Sequence, residues 1–206
     1  MGKGEAMRVV SSSAMRVQKW TKVGERTMLA QEYGVGVGVQ LFLNPHDGQR
    51  SGFSFFTCKD GNAVCAITPQ GNLLLTQQYK QGVDRIVIEV PGGVADGNET
   101  PEQVGARELF EETGFKAAKV HLLGWIALHT RKSSAGFNVL VALDCKSVAE
   151  LTHDDNEVIE VIEVSPSEVW DMIMQGQIID STSQLAIFTA ARHGYIPVWN
   201  YARRST

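Results

Sequence analysis

Short runs of apolar and β-branched residues, separated by clusters of Gly, Asn, Asp and Pro, dominate the first ninety positions and predict strands joined by tight turns. Val35–Leu43 and Gly52–Thr57 read as strands on either side of Asn44-Pro45-His46-Asp47-Gly48, a hairpin signature. Ala63–Thr68 and Leu73–Tyr79 flank Pro69-Gln70-Gly71-Asn72 and predict a second hairpin with a longer turn. The two hairpins together suggest a small antiparallel unit feeding a larger sheet. Arg85–Val90 is a further β-branched run that ends in Pro91-Gly92-Gly93, so the expected order is strand, glycine loop, helix. The helix is signalled by Thr100 as N-cap, Pro101 at the first helical position and Gln103 closing a capping box. Gly114 is placed to end it in a left-handed cap. Beyond it, His121–Leu128 and Phe137–Leu143 read as strands, and Val158–Val164 follows an acidic loop, Thr152 to Glu157. Two more helices are predicted, one from Ser165-Pro166 with Glu168 to about Met174, the other from Ser181 with Gln184 to a stop at Gly194. Strands interleaved with helices in this way predict an α/β sandwich around a mixed sheet covered on both faces, with a small N-terminal antiparallel β sub-domain.

Length and composition fit that picture. The 206 residues, 43% hydrophobic and 20% charged, suffice for one sizeable core plus a smaller appendage. We read residues 1–17 as a disordered tail, 18–57 as the β sub-domain and 58–206 as the main domain. A net charge of −4 argues against a broad nucleic-acid-binding surface and leaves room for a local basic pocket for phosphates. Cys58, Cys65 and Cys145 lack C-x-x-C spacing, which suggests neither a disulfide framework nor a zinc site. Reduced cysteines in a cytoplasmic protein are therefore expected. No apolar run approaches the length that crosses a bilayer, so no membrane partner is expected.

The chemistry is concentrated between Gly93 and Phe115. At about 100° per residue, Glu108, Glu111 and Glu112 share one face of the predicted helix. Like charges this close destabilise a helix unless a counter-charge meets them, and a divalent cation turns the repulsion into coordination by hard oxygens. A solvated acidic face is the common reading of a lone Glu-Glu pair. Here, however, Gly93, Glu99, Arg107, Glu108, Leu109, Glu111, Glu112, Gly114 and Phe115 fill every fixed position of G-x5-E-x7-R-E-U-x-E-E-x-G-U, where U is a bulky apolar residue. This is the Nudix box, and the chain resembles the Nudix hydrolase family. Phe115 departs mildly from the more usual aliphatic residue at the last position.

The resemblance extends outside the box. Gln78-Tyr79-Lys80 and Glu89-Val90-Pro91-Gly92-Gly93 look like the Q-Y-R and E-x-P-A-G elements of the branch that hydrolyses ADP-ribose and nucleoside diphosphate sugars. It implies the Nudix fold and Mg²⁺ as cofactor, with Mn²⁺ a possible substitute. The metal ligands it implies are the Gly92 carbonyl, Glu108 and Glu112, with Glu111 joining directly or through water. Arg107 and Glu99 are implied as scaffolding that fixes the glutamate rotamers, and Gly93 and Gly114 as structural. The branch also implies a homodimer built through the N-terminal strands.

A general base is implied from the acidic loop, where Asp155, Glu157 and Glu160 are candidates and Glu157 comes first because it precedes Val158-Ile159. Tyr79, Lys80 and Arg85 would face either the diphosphate or the dimer seam. Glu89 is a candidate for a base edge or a paired structural charge, and Trp20 for stacking on a base. One departure bears on the substrate: where ADP-ribose-selective relatives carry a proline beyond the box, this chain has His129 to Ser134, including Arg131 and Lys132. The expected substrate is thus a nucleoside diphosphate sugar, ADP-ribose-like in linkage. The alternatives are another X-linked diphosphate, such as a dinucleoside polyphosphate or a nucleoside triphosphate, and a non-catalytic nucleotide-sugar-binding module.

Overall fold

The computed structural model describes residues 17–149 and 158–198, in two compact units that divide between Phe56 and Thr57. The tail before Val17, the acidic loop with Asp155 and Glu157, and the C-terminal residues from 199 lie outside the described residues.

The first unit is a three-stranded antiparallel sheet of β1 (Thr21–Glu32), β2 (Val35–Leu43) and β3 (Arg50–Thr57), in that order. The hairpin between β2 and β3 is the one read from the sequence, with β3 starting two residues earlier than predicted. Strand β1 is an addition. Its sequence, TKVGERTMLAQE, does not alternate apolar and polar residues, and nearly every position is exposed. Register shifts between Val23 and Thr27 and between Met28 and Ala30 interrupt its pairing with β2, so no single periodicity runs its length. The buried Gln40 side chain donates to the carbonyl of Val23 at 3.1 Å, where the first shift frees it from the ladder. Tyr33 and Gly34, both at positive φ (48° and 78°), make the two-residue turn between β1 and β2.

The second unit is built on a seven-stranded mixed sheet. Its backbone is β4 (Gly61–Ile67), β5 (Leu73–Lys80), β9 (Lys119–Ala127), β10 (Gly136–Leu143) and β12 (Glu160–Val164), in the order β12-β5-β4-β10-β9. Strand β10 runs parallel to β4 and the other pairs are antiparallel. Side chains alternate between two covers. Ala63, Cys65 and Ile67 of β4 face a core shared with α2 (Pro166–Met174) and α3 (Ser181–Arg192), through Val169, Trp170, Ala186, Ile187 and Ala190. Val64 and Ala66 face a second core with Leu109 of α1 (Pro101–Thr113). Burial on both faces explains why β4 reads as a continuous apolar run rather than an alternation. The fold is thus the predicted α/β/α sandwich. Short β8 (Phe115–Lys116) and β11 (Lys146–Ser147) pair with each other and were not predicted.

One corner of the sheet positions everything that follows. β4 and β5 pair only at Ala66↔Leu74 and Ile67↔Leu73 and then diverge. The chain from β6 (Arg85–Glu89) to β7 (Gly92–Val94) fills the fork, with β6 pairing to β5 and β7 pairing to β4. The glycines read as a loop therefore form a short strand, because the edge of β4 freed by the fork offers Gly61–Ala63 as partners. A second correction concerns α3. Its N-cap is Asp180, whose carboxylate accepts from the Ser183 amide, and Gln184 donates to the Ile178 carbonyl instead of closing a box on Ser181. An aspartate is as good a cap as a serine, and here it lies one residue earlier.

Candidate active site

Helix α1 is set by its ends and its inner face. Thr100 and Gln103 form the reciprocal capping box, Pro101 opens the first turn, and Gly114 closes the helix at φ 72°. Leu109 and Val104 are fully buried, and Gly105 lies so close to the sheet that a Cβ would stand 3.2 Å from Leu140 and 3.3 Å from Val64. That close approach fixes the helix's rotation about its axis. Glu108 and Glu112 are thereby turned, half-buried, toward β7, while Glu111 is left exposed and Arg107 half-buried at the margin.

Arg107 gathers the glutamates. Its Nε donates to Glu99 Oε1 at 3.0 Å, Nη1 to Glu108 Oε1 at 2.9 Å and Glu111 Oε2 at 2.8 Å, and Nη2 to Glu99 Oε2 at 3.1 Å and the Val94 carbonyl at 3.1 Å. A planar guanidinium with its donors in a fixed fork suits this role, and a lysine could not reproduce it. The hydrogen bonds from Arg107 hold the Glu99 carboxyl below the usual range. Glu112 has a different partner, accepting from the Gly92 amide at 2.9 Å. Burial pushes its carboxyl up to about 7, against the pull of that hydrogen bond, and nearby Glu108 adds to the rise. Glu108 is also raised, by desolvation first, with Arg107 opposing.

The two glycines meet this face in different ways. A Cβ on Gly93 would stand 2.2 Å from Glu108 Oε1, so the missing side chain is what gives that carboxylate its place. A Cβ on Gly92 would instead stand 2.1 Å from the backbone carbonyl of Asn62 on β4. Among the described residues, no group of three or more His, Cys, Asp or Glu side chains stands arranged to hold a metal ion, since Arg107 draws three glutamates toward itself and the Gly92 amide holds the fourth. The donor set nevertheless suits a hard divalent cation. Glu108 and Glu112 are partly buried carboxylates whose ionised forms are under-compensated, and the absence of a side chain at Gly93 is what lets Glu108 sit there.

A cleft of about 290 Å³ opens beside the glycines, lined among others by Lys59, Asn62, Lys80, Glu89, Gly92, Gly93, Phe137 and Asp180. On its wall Lys80 pairs with Glu89 at 2.5 Å, and Gln78 donates to the same Glu89 oxygen at 2.8 Å. Desolvation still raises the Glu89 carboxyl, with Lys80 pulling it down. Lys80 and Glu89 thus join the glycines in one cleft. Tyr79, whose hydroxyl donates to Asp84 at 2.6 Å, and the exposed Arg85 lie on β5 and β6 outside that lining. Trp20 belongs to the first unit, where it meets the Phe53 ring edge-on at 5.5 Å. Glu160, the described member of the acidic trio, opens β12 and accepts from Gln77 at 3.3 Å. Glu157, the first choice for the base, is not among the described residues.

Sequence reasoning passed over Asn62, Asp180 and Ser183. Asn62 donates to the Gly93 carbonyl at 3.2 Å and accepts from Asn138 at 3.1 Å. Ser183 accepts from the Val90 amide at 3.0 Å. Only a helix-cap signal marked the Asp180–Ser183 stretch, and a cap signal carries no information about a distant partner.

The chain is similar to known proteins over most of its length. The NUDIX domain model matches residues 59–182. An ADP-ribose pyrophosphatase of Bacillus subtilis (strain 168) is 30% identical over 172 residues, 79% of this chain and 90% of that protein. The methanol dehydrogenase activator of Bacillus methanolicus is 24% identical over 170 residues, 79% of this chain and 90% of that protein. A GDP-mannose pyrophosphatase of Yersinia enterocolitica is 29% identical over 140 residues, 62% of this chain and 71% of that protein. Among solved structures, an ADP compounds hydrolase superposes with a TM-score of 0.76 at 19% identity, covering 87% of this chain and 96% of that one, a likeness of fold. With the box complete in sequence, Glu108, Glu111 and Glu112 on α1 and Gly93 seated in the fork of the sheet, the chain belongs to the NUDIX domain family.

Proposed function

We propose that this Nudix hydrolase cleaves the pyrophosphate bond of a nucleoside diphosphate sugar in the presence of Mg²⁺, releasing a nucleoside monophosphate and a sugar phosphate. The observation that carries the reading is the seating of Glu108 and Glu112 against Gly93 and Gly92, two glycines that line a cleft together with Lys80. Glu108, Glu112 and the Gly92 carbonyl would hold the ion, with Glu111 beside them. When bound, Mg²⁺ neutralises diphosphate oxygens and acidifies a water. The chain's own groups do the rest. Arg107 fixes the rotamers of Glu108 and Glu111, and the Gly92 amide fixes Glu112. Lys80 supplies a cation on the cleft wall, held by Glu89. Glu157 is the proposed base.

The similarity to proteins named ADP-ribose pyrophosphatase and GDP-mannose pyrophosphatase supports a nucleotide sugar over other diphosphates. A cleft of about 290 Å³ is at the small end for a ligand site and suits the diphosphate with its immediate neighbours better than a whole nucleotide sugar. We propose that the protein forms a homodimer through residues 18–57. The exposed apolar Leu29, Val35 and Val37 of that unit support such an interface. No helix among the described residues is long and apolar enough to cross a membrane. The test is a panel of ADP-ribose, ADP-glucose, GDP-mannose, diadenosine polyphosphates and nucleoside triphosphates with Mg²⁺ and with Mn²⁺. Preferred turnover of a nucleoside diphosphate sugar to a monophosphate and a sugar phosphate supports the proposal. Preference for a triphosphate or dinucleoside polyphosphate, or tight binding with no products, overturns it.

A further inference from the structure

The segment Val90–Gly93 is held at one backbone group of every residue. The Val90 amide donates to Ser183 Oγ at 3.0 Å, the Pro91 carbonyl accepts from the Val64 amide at 2.8 Å, the Gly92 amide donates to Glu112 and the Gly93 carbonyl accepts from Asn62. Three of these four partners, Val64 and Asn62 of β4 and Glu112 of α1, belong to the sheet and the candidate ligand helix themselves. Ser183 is different, because it arrives from α3, ninety-three residues away and on the opposite cover of the sheet. It is 1% exposed, and Val90 is 6% exposed, so water does not offer the Val90 amide a substitute partner. Ser183 Oγ in turn donates to Asp180 Oδ2 at 2.7 Å, and the same oxygen caps α3 by accepting from the Ser183 amide at 2.7 Å. A hydroxyl that donates to a carboxylate is a stronger acceptor for the amide on its other side.

We propose that Ser183, oriented by Asp180, is a positioning residue for the candidate metal site: it anchors the chain at Val90 and so fixes where Gly92 presents its carbonyl and its amide to the ion and to Glu112. The inference rests on the metal-site reading above. Without the anchor, Val90 has no partner at its amide, the entry of the segment into the fork loosens, and Gly92 loses its register against Glu112. α3 contributes to the site by this route even though it bears none of the box residues.

The test uses the full chain with Mn²⁺ alone as probe, read by electron paramagnetic resonance, together with amide hydrogen exchange of the metal-free protein and hydrolysis kinetics. Ser183→Ala is expected to weaken Mn²⁺ binding and to lower kcat by about tenfold each, with a smaller change in KM, and to speed exchange at Val90 and Gly92. Ile187→Val serves as the control, since it trims a buried side chain on the same helix without touching the anchor. It is expected to leave Mn²⁺ affinity and Val90 exchange unchanged. If Ser183→Ala does not accumulate as folded protein, Ser183→Cys keeps the volume and a weak acceptor, and faster exchange at Val90 is the expected result. Equal behaviour of the Ser183 variants and Ile187→Val in Mn²⁺ affinity and in exchange overturns the proposal. Failure of the wild-type chain to bind Mn²⁺ overturns the metal-site reading instead, so the two failures are distinguishable.

Discussion

Glu112→Gln separates what the site does for stability from what it does for chemistry. In the metal-free chain the Glu112 carboxyl is pushed up to about 7 from an ordinary 4.5, chiefly by burial. A group whose folded pKa stands above its unfolded one stabilises the fold when protonated and loses that advantage as pH rises. The loss begins near pH 4.5 and is complete a little above 7. At about 1.4 kcal/mol per tenfold ratio, the full effect is at most ~3.5 kcal/mol, and about 1–3 kcal/mol after allowing for its coupling to Glu108 and Lys80. Glutamine keeps an oxygen to accept from the Gly92 amide and carries no charge, so it removes the penalty without emptying the site. For a chain of this length, the variant should melt about 3–10 °C above the wild type at pH 8 in EDTA. The two curves should converge as the pH approaches 4.5. Saturating Mg²⁺ should raise the wild-type midpoint and leave the variant's nearly unchanged, and hydrolysis by the variant should fall by at least about a hundredfold. The assay is thermal melting followed by circular dichroism across that pH range, paired with product release. A variant that melts at or below the wild type at pH 8 in EDTA, or with a difference independent of pH, would refute the electrostatic reasoning. Near wild-type turnover with excess Mg²⁺ would refute the ligand assignment.

Other substitutions test separate parts of the argument. Gly93→Ala places a Cβ against the Glu108 carboxylate, the movable end of a side chain, so activity should drop by about 10–100-fold while the melting midpoint moves by only a few degrees. Gly92→Ala drives its Cβ into the Asn62 backbone carbonyl instead, and the melting midpoint should fall markedly; equal stability of the two glycine variants would contradict the geometry. Arg107→Lys keeps the charge but loses the fork to Glu99, Glu108 and Glu111, and kcat should fall by about 10–100-fold with Mg²⁺ half-saturation shifted upward. Leu109→Ala, in the middle of the box but fully buried, should cost about 2–5 kcal/mol in denaturant unfolding, and folded protein that remains should keep its Mn²⁺ affinity.

How much was legible depended on whether a feature is local. The capping box at Thr100 and Gln103, the left-handed Gly114 and the shared face of Glu108, Glu111 and Glu112 follow from spacing along one helix, and α1 has those bounds. The apolar run Ala63–Thr68 announced the strand β4, whereas its burial on both faces emerged only in the structure. β1 was not legible, because its register shifts break the alternation and its side chains are exposed. The α3 cap was read one residue late because Ser181 and Asp180 are both competent caps, and packing chose between them.

The amino-acid sequence by itself determined the family, the three helices, the main strands after β1 and the shared helix face of Glu108, Glu111 and Glu112, since each is written in residue type and short-range spacing. It did not determine that Glu108 leans on Gly93 and Arg107 while Glu112 takes the Gly92 amide, and so which carboxyl burial pushes up to about 7. Nor did it determine that Gly92 and Gly93 form a strand in the fork between β4 and β5, or that Ser183 reaches Val90 from the other side of the sheet. Those are decisions of tertiary structure. Burial and the pairing of backbone groups distant in the chain set them, and neither is expressed in any local pattern.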